Sequence, residues 1–172
     1  MEKLKVEQVI ISKQAEYSEN FQVFKNIANN KKIKITIVGV DTPNSNPKIY
    51  IEKDIYLDIL WPNNKNAILD NPLNNNSIVC KLCYKDFSVL FTGDIEKIAE
   101  TKILEEYKNK LDILNSTILK VAHHGSKTSS IQDFLNVVKP KIALIGVGEN
   151  NKFGHPNKEV LERLENIRLQ NI

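Results

Sequence analysis

The chain has 172 residues, 41% of them hydrophobic and 26% charged, with a net charge of +3. That length and balance fit one soluble globular domain with a buried core, and the charge is too small to mark a nucleic-acid binder by itself. No apolar run reaches the roughly 20 residues that span a bilayer, and Met1-Glu2-Lys3-Leu4-Lys5 does not lead into a signal-peptide core.

Residues 4–12 are rich in Val and Ile and read as a strand. Residues 16–29 follow with Phe21, Phe24 and Ile27 at helical spacing, closed by Asn29-Asn30-Lys31-Lys32. Residues 33–40 alternate Ile with Lys and Thr, as a half-buried strand does. Thr42-Pro-Asn-Ser-Asn-Pro47 is a loop, and residues 55–61 form a strand stopped by Pro62. The Asn- and Pro-rich connection 63–76 is expected to be a mobile surface loop. Residues 77–84 and 87–92 make a hairpin around Lys85-Asp86.

Residues 95–110 read as a helix with Ile98, Ile103, Leu104 and Leu111 as its apolar stripe. A strand at 116–122, a short helix at 130–138 ended by Lys139-Pro140, a strand at 141–147 and a helix at 156–167 complete the chain. Strands alternating with helices in the second half argue for a layered α/β domain with the helices outside. No internal repeat is visible, and residues 1–172 read as one domain.

Cys80 and Cys83 form a CxxC, which can mean metal or redox chemistry. Here it lies in a strand, where residues three apart point to opposite faces about 10 Å from each other. Such a pair neither bridges nor shares an ion, so the two cysteines read as small apolar fillers.

Three polar turns each follow an apolar strand: Phe91-Thr92-Gly93-Asp94, Val121-Ala122-His123-His124-Gly125-Ser126 and Gly154-His155-Pro156. All three histidines of the chain lie in them. Ligands of open α/β sheets bind beyond the carboxyl ends of strands, where Asp and His can converge on a metal such as zinc, manganese or iron. Taken singly, each has a plainer reading. Asp94 can be a helix N-cap, His155 can cap a last helix that starts at Pro156, and His123 and His124 can be ordinary turn residues. Three such turns at three strand ends favour a site. Ser126, Lys127 and Thr128 beside them, with Lys120, Lys152, Ser129 and Ser130, can attract a phosphate. The alternatives are a solvated surface for the lysines and helix capping for Ser129 and Ser130.

At these residues the sequence resembles the carboxyl-terminal metallo-β-lactamase-like domain of ComEC-type competence proteins, which are bacterial DNA-uptake channel proteins. The matching segments are Leu73-Asn-Asn-Asn-Ser-Ile-Val79, Leu90-Phe-Thr-Gly-Asp-Ile-Glu96, the run from Leu119 to Ser130 around His123-His124-Gly125-Ser126, and the run from Ile145 to Pro156. The resemblance implies a layered αββα sandwich carrying a metal cluster at one sheet edge. Within it Asp94, His123, His124 and His155 match ligand positions, with Asp94 and His124 also catalytic. It implies zinc or manganese, with two ions in the complete domain, and a nuclease that hydrolyses DNA phosphodiesters during uptake. The parent protein is expected in the bacterial inner membrane.

This sequence departs from the family in two respects. Members carry an HxHxDH cluster upstream of the TGD turn, whereas no histidine here precedes His123. The usual last strand of the family is also missing after Ile172. The chain is therefore expected to be a partial domain lacking its amino-terminal portion, partnered by DNA and by the channel part or another chain that supplies the cluster. Three functions follow: part of a metal-dependent nuclease, a non-catalytic remnant or DNA-binding module, or another metallo-β-lactamase-fold hydrolase.

Overall fold

In a computed structural model, residues 5–13, 20–39, 48–63 and 67–167 are described. Strand β1 (Gln8–Ser12) leads through helix α1 (Phe21–Asn30) to β2 (Lys34–Val38), and β1 pairs with β2 in parallel. Six further strands form one sheet: β3 (Lys48–Glu52), β4 (Ile55–Trp61), β5 (Val79–Tyr84), β6 (Phe87–Phe91), β7 (Ile118–Lys120) and β8 (Ile142–Leu144), side by side in that order. Helices α2 (Pro72–Asn75), α3 (Lys97–Glu106), α4 (Gln132–Val138) and α5 (Lys158–Asn166) fill the connections. The fold is mixed α/β, as the alternation of elements implied.

The sheet changes character halfway across. Strands β3 to β6 are antiparallel meander strands, whereas β6, β7 and β8 run parallel. Parallel neighbours need crossovers, and α3 and α4 supply them. The consequence for function is geometric. The carboxyl ends of three adjacent strands lie along one edge, and each expected polar turn follows one of those ends.

The helices pack through short apolar repeats. Phe134, Leu135 and Val138 of α4 and Val160 and Leu164 of α5 are buried, joining Leu60, Trp61, Leu90, Ile95, Ile103 and Leu119 in one core. Each fully buried Leu, Ile or Phe contributes about 1.5–3 kcal/mol. Trp61 is wholly enclosed, and its indole Nε1–H donates to the Asn75 carbonyl at 2.8 Å.

Several expectations need correction. Strand β3 pairs antiparallel with β4 and was not expected; its Lys48-Ile-Tyr-Ile-Glu52 run is charged at both ends and mostly exposed, as suits an edge strand. The connection around α2 is anchored. Asn75 and Asn76 are fully buried, and the Asn76 amide bridges Ile68 through both its backbone groups. Helix α3 is shorter than expected and turns Ala99, Glu100 and Ile103 inward, while Ile98 is exposed. The loop at 42–47 and the start of the expected helix at 16–19 lie outside the described residues. Cys80 and Cys83 are free thiols on β5, and burial pushes Cys80 up to about 11. Among the described residues, no helix is long and apolar enough to cross a membrane.

Candidate functional site

The three turns are tied to one another by backbone geometry. Gly93 has φ +56, and a Cβ there would stand 2.6 Å from Ser77 Cβ, so only glycine fits. Its carbonyl accepts from the His123 N–H at 3.1 Å, joining the first turn to the second. Gly125, at φ +78 with Pro156 Cβ 2.8 Å from its missing Cβ, accepts from the Asn157 N–H at 2.8 Å and joins the second turn to the third.

His123 and His124 both adopt left-handed backbone, φ 47 and φ 55. Two consecutive non-glycine residues in that region cost about 1–3 kcal/mol each. Such strain survives only where the surroundings hold it, and here the bonds from Gly93 and Gly125 do so.

The plain capping readings fail. Helix α3 starts after Glu96, two residues beyond Asp94, and the cap of α5 is Asn157, whose side chain accepts from the Glu159 N–H at 3.0 Å. Ile131 precedes α4, so neither Ser129 nor Ser130 caps it. Asp94 and His155 are thus free of the structural duty that would explain them.

Asp94 and His124 meet. His124 Nδ1–H donates to the Gly146 carbonyl at 2.5 Å, so in the neutral ring Nε2 carries the lone pair, 3.7 Å from Asp94 Oδ1. Two electron-pair donors facing each other at that distance repel unless a proton or a cation stands between them. Two donors each about 2.1 Å from one ion would show such a separation at a wide angle. The backbone bond at Nδ1 is the kind of outer contact that orients a metal-binding imidazole.

His123 and His155 form a second group. Their rings lie edge to face with centroids 5.9 Å apart. Each has a buried Nδ1 without a hydrogen-bond partner. Glu96 Oε1 is 3.4 Å from His123 Nδ1 but outside hydrogen-bonding geometry. Burial, and then the neighbouring His123 and His124, hold the His155 imidazole below its usual range. Orphaned buried nitrogens ask for an acceptor, a water or an ion. The residues therefore fit part of a metal centre, in which Asp94 would offer one oxygen and His124 one nitrogen. Among the described residues, no three His, Cys, Asp or Glu side chains group closely enough to hold an ion.

The expected phosphate residues are engaged elsewhere. The Ser126 hydroxyl is buried and pairs with Thr128 Oγ1 at 3.0 Å, and Thr128 Oγ1 donates to Glu96 Oε1 at 2.9 Å. Lys127 is exposed and, with Asp70, Glu96, Lys97, Thr128 and Arg163, lines a cavity of about 460 Å³ that neither Asp94 nor His124 touches. Lys120 Nζ donates to the Val121 carbonyl at 3.2 Å.

Three residues escaped the reading of the sequence. Glu96 accepts from Thr128 and from the Asn75 amide at 3.3 Å, and its own N–H donates to Asn75 Oδ1 at 3.0 Å. Glu100, on α3, accepts from the backbone N–H groups of Ser130 at 2.6 Å and Ile131 at 2.8 Å, so it holds the end of the histidine loop. Asn75 was hidden by asparagine-rich composition that reads as loop. Its placement within the matching Leu73–Val79 segment was the available signal.

No protein-family model matches the chain. It is 34% identical over 113 residues, 66% of its length, to ComE operon protein 3 of Bacillus subtilis. It is 34% identical over 114 residues, again 66% of its length, to Recombination protein 2 of Haemophilus influenzae, and 33% identical over 107 residues, 62%, to Competence protein ComA of Neisseria gonorrhoeae. The chain spans 14%, 13% and 15% of those relatives' own lengths. At this level of identity over about 60% of its length, the chain is a homologue of part of the ComEC-type competence proteins.

Proposed function

We propose that the chain forms part of a metal-dependent phosphodiester hydrolase that cuts DNA in a competence-related uptake process. The observation that carries this reading is the Asp94–His124 pair, 3.7 Å apart at the ends of adjacent parallel strands with no hydrogen bond between them. The names of the relatives support a competence-related role. A layered αββα architecture belongs to the same proposal. So do the rest of the metal's ligands, taken from the channel part or another chain, and the inner membrane as the site of work.

A bound zinc or manganese would supply an acidified water at neutral pH and charge to offset the phosphate. The chain's own residues do the rest. Asp94, projecting from the turn fixed at Gly93, offers an ionised oxygen that holds a cation at the strand ends. His124 is locked by its Nδ1–H bond to Gly146, so Nε2 is the atom at which it binds a cation or passes a proton to a leaving oxygen. His123 and His155 present buried nitrogens beside that pair. The exposed Lys152 draws the phosphate backbone toward this edge.

One observation favours a second reading for this chain by itself. With two converging ligands instead of three, it binds DNA or one weak ion and turns nothing over. Metal analysis and a manganese-dependent DNA cleavage assay, on the native chain and on Asp94→Ala, separate the two. With the ligand-supplying partner present, the enzyme reading expects stoichiometric metal and cleavage that Asp94→Ala abolishes. Cleavage that persists in Asp94→Ala sinks the site, and a chain that neither retains metal nor cleaves supports the binding module.

A further inference from the structure

We propose that the cavity beside the Asp94–His124 pair is a stacking subsite for one base of single-stranded DNA, with Phe153 as its platform. The inference rests on the nucleic-acid reading above and adds to it which part of the strand is held, and where. The cavity measures about 360 Å³ and is lined by His124, Val147, Asn151, Phe153 and His155, with Gly146 and Gly148 contributing backbone.

Phe153 is 82% exposed, although it stands in the polar run Asn150-Asn151-Lys152-Phe153-Gly154. A single exposed apolar side chain needs no explanation. This one is different because it is built into a site. Its ring lies nearly parallel to the His155 ring, at 20° with centroids 5.9 Å apart, and most of its surface stays open to a ligand. Asn151 holds the loop in place. Its side-chain N–H groups donate to the carbonyls of Gly148 at 3.2 Å and His155 at 2.8 Å, and its Oδ1 accepts from the His155 N–H at 2.9 Å. A platform set before the ligand arrives loses little entropy on binding.

Two features select a nucleic-acid base over another apolar group. His124 forms part of the wall, so whatever fills the cavity lies against the imidazole whose Nε2 faces Asp94. In a strand whose phosphate sits at that pair, the planar apolar part within reach is a base. The exposed Lys152, next to Phe153, adds a cation for the adjoining phosphate. Aromatic platforms paired with cations are how proteins hold single strands without reading sequence.

The test uses the full 172-residue chain in chelator, so that no cleavage intervenes. Fluorescence anisotropy measures the affinity for a labelled single-stranded oligodeoxynucleotide and for an abasic strand of equal length. Phe153→Ala is expected to weaken binding to the base-bearing strand by about 5- to 140-fold, the equivalent of one lost stack. It should leave the abasic strand unaffected, and Phe153→Trp should hold the native affinity. Equal affinity of native and Phe153→Ala for the base-bearing strand overturns the proposal, as does an equal loss on both strands. A native chain that binds neither strand also overturns it, and leaves the cavity to an apolar side chain of a protein partner. Base-dependent binding without metal-dependent cleavage refutes hydrolysis by this chain alone and leaves the stacking subsite standing; cleavage with no base dependence refutes the stacking subsite alone.

Discussion

Glu100 offers a direct measurement of how the histidine loop is held. Its carboxyl is fully buried and accepts from the N–H groups of Ser130 and Ile131, with Arg163 nearby. Burial raises it to about 7, against the two backbone bonds and Arg163, which all favour the ionised form. The folded chain therefore keeps a proton on Glu100 up to about pH 7, whereas the unfolded chain releases it near 4.5. Between those values the folded state binds more protons, so raising the pH favours unfolding. The stability that Glu100 contributes is complete below pH 4.5 and lost as pH rises through about 7. A difference of that size corresponds to about 3 kcal/mol. Glu100→Gln removes the titration and keeps the shape. Urea unfolding of both proteins across this range isolates the effect, because other titrating groups cancel in the difference. The native chain should lose about 3 kcal/mol relative to Glu100→Gln between the two ends. A difference that stays flat with pH, or one that grows in the native chain's favour, would refute the reasoning.

Two substitutions probe the frame of the site. Gly93→Ala meets both a left-handed φ of +56 and a 2.6 Å approach to Ser77 Cβ; thermal or urea unfolding should show a loss of about 2–4 kcal/mol. Asn75→Ala leaves the Asp70 carbonyl and the Glu96 N–H without the buried amide that partners them in a part-buried setting. The same assay should show a loss of about 2–4 kcal/mol, and a loss below about 0.5 kcal/mol would mean that water replaces the amide.

Local chemistry was legible where one strand end and one turn suffice. The hairpin around Lys85-Asp86 follows from two apolar runs and a short polar break. The turns at Asp94, His123, His124 and His155 stood out because polar, glycine-bearing segments interrupt apolar strands. The exposed Ile98 and the buried Glu100 were misread because a helix of apolar and charged residues offers more than one stripe. Which face turns inward is decided by what it packs against, and here that is the end of the histidine loop. Asn75 and Asn76 misled for a related reason. Asparagine favours loops by composition, yet a buried amide is stable where its donors and acceptors all find partners, and the backbone around Ile68 and Glu96 supplies them.

By itself, then, the amino-acid sequence determined the α/β class, the order of the three polar turns and the residue types they bring. Those properties depend on spacing and side-chain chemistry, which are local. Tertiary structure decided that β6, β7 and β8 are adjacent and parallel, so that the turns share one edge. It also decided that His124 pairs with Asp94 while His123 faces His155, and that Phe153 stands exposed against that group. These facts depend on how distant segments pack, since a hydrogen bond such as His124 to Gly146 exists only once two residues 22 apart in the chain are brought together by the pairing of β7 with β8.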